Sequence, residues 1–93
     1  MDFEWDNAKN QTNFEKRGLR FEDAALVFEN ETFTFLDDRK DYGEKRYVTL
    51  GQLAKRVVVM VHTQRNDKMR IISLRKANER EKKIYYERLK KSG

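Results

Sequence analysis

The sequence predicts an α+β domain, with helices packed on a mainly antiparallel sheet of about four strands and a basic helix at the C-terminus. Three observations carry this reading. Arg56–Thr63 alternates valines at period two, and Asn66-Asp67 separates it from a second β-branched run, Met69–Arg75. Asn7–Arg17 and the segment after Asn78 carry helix start and stop signals instead. The strands are joined by short turns, which suit antiparallel pairing.

Each element follows from local chemistry. Asp2–Glu4 reads as a short strand. Asp6 is an N-cap and Gly18 lies beyond the last turn, so Asn7–Arg17 is a helix. Phe21–Phe28 is a shorter helix with Phe21, Ala24, Ala25 and Phe28 on its apolar face. Thr32–Leu36 alternates Phe33 and Phe35 with polar residues, Arg46–Leu50 alternates less cleanly, and Asp37–Gly43 between them is a charged loop.

In Arg56–Thr63, Val57, Val59 and Val61 face one way, and Arg56, Val58, Met60 and His62 the other. A two-residue turn at Asn66-Asp67 makes a hairpin that sets Val61 opposite Ile72 and Val59 opposite Leu74. In that register Arg70 and Arg75 point to opposite faces, and a one-residue slip would exchange the faces. Asn78 and Glu81 have the spacing of a capping box, which starts a last helix running to about Lys91. Ile84, Tyr85 and Leu89 form its narrow apolar stripe.

At 93 residues the chain supports one domain, 1–93, with a modest core. Charged residues make up 40% and mean hydropathy is −1.02, yet eleven aromatics sit within periodic segments, which indicates folding rather than disorder. The absence of cysteine excludes a disulfide, a thiolate nucleophile or Cys-ligated zinc. With no long apolar run and no signal pattern at Met1-Asp2-Phe3, the expectation is a cytoplasmic protein that does not engage a membrane. The net charge of +5 hides a split: residues 1–44 hold 6 Lys/Arg against 12 Asp/Glu, and residues 45–93 hold 15 against 4. Such segregation suits a polyanionic partner, or an acidic half folded against a basic one.

Phe3-Glu4-Trp5-Asp6, Lys9, Asn13, Lys16-Arg17-Gly18 and Phe21-Glu22-Asp23-Ala24 together resemble the opening of BrnT-type toxins. Arg46-Tyr47, Gly51, Arg56-Val57-Val58-Val59, Thr63, Arg65, Arg70-Ile71-Ile72-Ser73, Arg75-Lys76-Ala77, Glu81 and Tyr85 continue the pattern over nearly the whole chain. The resemblance implies a RelE-like fold and an endoribonuclease toxin of a bacterial type II toxin–antitoxin pair that inhibits translation. It implies a BrnA-like antitoxin with a ribbon-helix-helix region, and operator DNA bound only through the complex. One departure stands out. The position before Gly18 is commonly histidine in this family and here is Arg17, which cannot shuttle a proton near neutral pH.

RNA can be cut without metal when its own 2′-OH attacks the adjacent phosphorus. Guanidinium groups suit the charge that develops on the phosphate, because their planar donors pair with its oxygens. Arg65, Arg70 and Arg75 are the arginines so considered; by themselves they read as solvated strand-end residues or antitoxin contacts, and the resemblance is what favours Arg65 and Arg75 as catalytic. Lys16 and His62 are the candidates for proton transfer, with Tyr47 and Tyr85 behind them; His62 is the only histidine. Arg70, Arg56, Lys9 and Arg17 are the expected RNA contacts. Glu4 is either a base or an arginine's partner, and Trp5 is expected to pack helix on sheet. Asp37, Asp38 and Asp41 lack a companion histidine and read as a solvated loop, so neither metal nor cofactor is expected. The alternative function is a non-catalytic module that binds RNA or antitoxin.

Overall fold

A computed structural model describes residues 2–92. Asp6 accepts hydrogen bonds from the backbone N–H of Ala8 and Lys9, and Gly18, at φ 73°, donates back to Phe14 O. Helix α1 therefore spans Asn7–Arg17, as its caps predict. The remaining elements are β1 (Asp2–Trp5), a 3-10 turn over Phe21–Asp23 leading into α2 (Ala24–Phe28), β2 (Phe33–Asp37), β3 (Arg46–Leu53), β4 (Arg56–Arg65), β5 (Lys68–Lys76) and α3 (Glu79–Ser92).

The sheet has five strands, not four, and it is mixed. Its order is β1-β5-β4-β3-β2, with β1 parallel to β5 and every other pair antiparallel. At four residues β1 is too short to show an alternation that would reveal its partner. Phe3 and Trp5 pack against the core while Glu4 meets Arg70.

The β4–β5 hairpin departs from simple alternation in one place. From Arg65↔Lys68 to His62↔Ile71 the register is the one a two-residue turn dictates. Beyond it the partners are Val61↔Ser73, Met60↔Leu74 and Val59↔Arg75, so Ile72 is an extra residue in β5. The expected pairs Val61–Ile72 and Val59–Leu74 are thus displaced by one. Leu74 moves to the Met60 face, while Arg75 joins Arg70 on the face of Val59, Val61 and Thr63.

The sheet is buried on both sides. Phe21, Ala24, Val27, Val58, Met60, Ile71 and Leu74 pack under α1 and α2. Val48, Leu50, Val57, Val59, Ala77 and Tyr85 pack under α3. Val27, fully buried, takes the place expected of Ala25, because the leading 3-10 turn sets a spacing of three from Phe21 through Ala24. No helix among the described residues is long and apolar enough to cross a membrane.

Since β1 ends opposite Ile71, β5 has no strand neighbour on that side from Ile72 onward among the described residues. Asn13 substitutes for one. It is 7% exposed, donates to Leu74 O at 2.8 Å and Leu19 O at 3.0 Å, and accepts from Leu74 N at 3.3 Å. Backbone groups that would otherwise be buried unpaired are satisfied, and α1 is pinned to the sheet.

Candidate functional site

The face that carries α3 also holds an open groove of about 330 Å³. Val48, Val59 and Val61 form its floor. One wall is the end of β2 and the loop Asp37-Asp38-Arg39; the other is the first turns of α3 with Asn78, Arg80, Glu81 and Ile84. Arg75 enters from β5.

Arg75 is held by two 2.8 Å hydrogen bonds, Nη1 to Glu81 Oε1 and Nη2 to Glu81 Oε2. Glu81 also accepts from Asn78 N at 2.9 Å, and its own N–H is bonded to Asn78 Oδ1 at 2.8 Å. The expected capping box is therefore formed, and the same carboxylate orients the arginine. The Arg75 hydrogen bonds hold the Glu81 carboxyl below its usual range, and Glu81 in turn raises Arg75.

Across the groove Arg39 is held the same way. Its Nε donates to Asp37 Oδ1 at 2.8 Å and its Nη2 to Asp37 Oδ2 at 3.0 Å, and Tyr42 Oη adds a 3.2 Å bond to Oδ2. The Asp37 carboxyl is depressed to about 2, chiefly by the Arg39 side chain. Arg39 lies close enough to Arg75 for the two charges to repel, which opposes the rise that Glu81 causes. Asp37 is not part of the solvated loop expected for it: it is the buried last residue of β2, with its side chain 2% exposed, while the Arg39 side chain is 72% exposed. Arg39 is the residue that sequence reasoning missed. Its signal was an arginine two positions after a strand-end aspartate.

A row of polar residues crosses the same face beyond the groove. Glu4, Arg70, Thr63, Arg46 and Asp37 are successive register partners over all five strands. Arg70 Nη1 donates to Glu4 Oε2 at 2.8 Å, so Glu4 is an arginine's partner. Arg46 lies over the Tyr42 ring at 4.2 Å, and its buried Nε has no hydrogen-bond partner among the described residues. Arg65 stands exposed at the hairpin end, 3.5 Å from Glu44.

The bulge thus puts Arg70 and Arg75 on one face, against the alternation expected of them. They remain four β4 residues apart by register, roughly 13 Å, so they do not meet at one point.

The other candidates lie elsewhere. His62 belongs to the opposite face, 5% exposed, sharing a 2.7 Å hydrogen bond with Thr49 Oγ1 between the rings of Tyr47 and Phe28. Burial lowers it to about 4, so it is neutral at neutral pH. Lys9, Lys16 and Arg17 line a shallow groove between α1 and β5 at Ile72 and Ser73. Arg56 stands at the start of β4, on a third groove with Lys55 and Lys76. Tyr85 is buried with its hydroxyl donating to Glu31 O, and burial raises it. Among the described residues no group of three or more His, Cys, Asp or Glu side chains is placed to hold a metal ion.

Chemically, the α3 groove offers two guanidinium groups fixed in orientation by carboxylates, beside an apolar floor. Guanidinium groups held in this way present their remaining N–H donors to phosphate oxygens. A family model described as "Ribonuclease toxin, BrnT, of type II toxin-antitoxin system" matches residues 5–81. No curated protein matches the chain.

Proposed function

The chain belongs to the BrnT family of ribonuclease toxins of type II toxin–antitoxin systems, and from that premise we propose that it cuts RNA in the groove beside α3. One observation carries this reading: Arg39 and Arg75, each clamped by a carboxylate through two hydrogen bonds, face a common groove. Donors fixed before the reaction stabilise developing charge without reorganising. In this scheme the RNA 2′-OH gives its proton to water and attacks the neighbouring phosphorus, the bond to the 5′ oxygen breaks, that oxygen takes a proton from water, and a 2′,3′-cyclic phosphate is left. Arg75 and Arg39 neutralise the phosphate oxygens as charge builds, which is work that needs no metal. Arg70 and Arg65, on the same face, hold the strand beyond the groove.

Lys9, Lys16 and Arg17 contact the RNA backbone along α1 rather than at the reacting phosphate, since they lie beside the far edge of β5. His62 serves the core in place of proton transfer. The fold is RelE-like, the protein acts in the cytoplasm by stopping translation, and its partner is a small ribbon-helix-helix antitoxin. Operator DNA is met only through that complex.

A second reading, a module that binds RNA or antitoxin without cutting, is favoured by one feature. The groove's three arginines, Arg39, Arg75 and Arg80, are matched by Asp37, Asp38 and Glu81. Incubation of the purified chain with a defined RNA in chelator, beside Arg75→Ala, separates the two. New ends bearing 2′,3′-cyclic phosphate with wild type alone support cleavage at this groove. RNA retained but uncut, free and on ribosomes, supports the second reading.

A further inference from the structure

On the opposite flank of α3 a groove of about 310 Å³ has a different electrostatic character. Lys55 reaches it from the β3–β4 turn, Arg56 from the start of β4, Lys76 from the end of β5 and Lys82 from α3, around a floor of Val57 and Ala77. Among the described residues no carboxylate lines it. Of the four cations, Lys82 alone has an ion pair among the described residues, at 3.2 Å from Glu79, whose side chain is 92% exposed. Lys55, Arg56 and Lys76 are exposed. The formal charge is therefore four positive, where the Arg75 groove is balanced.

Two further features mark this place. Leu53 pairs with Arg56, so Ala54-Lys55 is a two-residue hairpin loop, and both residues have left-handed φ, 51° and 68°. Neither is the glycine or asparagine that such a turn favours, and each such residue costs roughly 1–2 kcal/mol. The turn nonetheless sets Lys55 and Arg56 side by side at the groove's lip. Tyr86, 44% exposed, forms the other lip, with its ring braced edge-on against buried Tyr85 at 5.5 Å between centroids. A held, exposed aromatic among cations is the arrangement on which single-stranded nucleic acid stacks and pairs its phosphates.

We propose that this groove is an RNA-binding exosite, in which Lys55, Arg56 and Lys76 take phosphates of single-stranded RNA and Tyr86 stacks on a base. The proposal rests on the ribonuclease reading and adds to it where the substrate extends. Val57 beneath the exosite and Val59 and Val61 beneath the Arg75 groove are successive residues on one face of β4. A strand of a few nucleotides passing the first turns of α3 spans both. An acidic peptide would find the same charge, but single-stranded RNA also uses the exposed Tyr86 ring as a stacking face.

The test is fluorescence anisotropy with a short labelled single-stranded 2′-O-methyl RNA, which cannot be cut by 2′-OH attack. Lys55→Asn/Lys76→Gln is compared with Lys90→Gln/Lys91→Gln, which removes the same charge at the end of α3. Asparagine suits the left-handed backbone at Lys55. The exosite pair is expected to weaken binding about tenfold or more near 0.1 M salt, and to flatten the log–log salt dependence by about 0.7 for each phosphate no longer neutralised. Tyr86→Ala weakens binding about fivefold or more, while Tyr86→Phe retains it.

Equal effects of the two lysine pairs, or wild-type affinity and slope in the exosite pair, overturn the exosite. So does a loss confined to binding of the antitoxin, which would make the groove a protein-docking surface. Cleavage by wild type is measured alongside. If RNA is cut and the exosite variants bind normally, the exosite fails and the ribonuclease reading stands. A wild-type chain that neither cuts nor retains RNA ends both.

Discussion

Arg75 and Glu81 are joined by two parallel 2.8 Å hydrogen bonds, and Glu81 Oε1 also accepts from the backbone of Asn78. One carboxylate therefore caps α3 and aims an arginine of the neighbouring strand. The helix start and the guanidinium position form a single unit, tying the proposed phosphate contact to a rigid element.

Arg75→Ala is expected to lower the cleavage rate about 100-fold or more with the fold intact, the usual effect of deleting one oriented donor. Arg75→Lys should not restore it, because an ammonium cannot reproduce the paired planar donors. Single-turnover cleavage alongside a thermal melt measures both. Full activity in Arg75→Ala would remove Arg75 from the chemistry.

Glu81→Gln separates the two jobs. Glutamine still serves a capping box, so α3 should start where it does now. The charge-assisted pair to Arg75 is lost, and the rate is expected to fall about tenfold, which is roughly 1.4 kcal/mol of barrier. A far-ultraviolet spectrum like wild type with slowed cleavage is the expected pattern. An unchanged rate would show that Arg75 needs no clamp.

Arg39→Ala tests the opposite wall. Its side chain is largely exposed, so the core is untouched, yet buried Asp37 keeps only Tyr42 among its side-chain partners. We expect cleavage to drop about 100-fold, as for Arg75. Stability should fall as well, because a buried carboxylate loses its cation. Urea unfolding of Arg39→Ala and of Arg39→Ala/Asp37→Asn distinguishes these effects, since the second change should recover stability without recovering activity.

Much of this arrangement was legible in the sequence. The caps at Asp6, Gly18 and Asn78 located α1 and the start of α3, because capping depends on side chains a few positions apart. The Asn66-Asp67 turn fixed the hairpin register as far as His62. The bulge at Ile72 was not legible: Ile71 and Ile72 are the same residue, so alternation reads equally well in either frame. Only interactions distant in sequence, Asn13 with Leu74 among them, hold the second frame. The placement of Arg70 and Arg75 on one face followed from that shift. The burial of Asp37 is hidden from the sequence for a related reason: it accompanies a pairing with Arg46 on another strand.

Asn13→Ala tests the support of that frame. The substitution leaves the N–H and C=O of Leu74 and the carbonyl of Leu19 without their partner. An unsatisfied buried group costs about 1–3 kcal/mol. The melting midpoint should fall by about 4–8 °C for each kcal/mol of stability removed. Hydrogen exchange should quicken at Leu74 first. A midpoint equal to wild type would show that water or backbone adjustment replaces Asn13.

His62 makes a prediction about acid. Its folded pKa is lowered to about 4 from 6.5, because burial between Tyr47 and Phe28 disfavours the cation. The unfolded chain therefore takes up the proton first. Stability from this group is whole above pH 6.5 and is lost as pH falls toward 4, a loss on the order of 3 kcal/mol. The Asp37 carboxyl, depressed to about 2 from 3.8, is lost in a lower window and does not overlap. Urea midpoints between pH 7 and 4 should decline steeply in wild type and much less in His62→Gln, whose amide can still bond Thr49. RNA cleavage by His62→Gln near neutral pH should stay within a few fold of wild type, because an uncharged histidine on the far face cannot reach the Arg75 groove. Loss of cleavage in a variant that still folds would return His62 to the chemistry and move the active site to the face of α1.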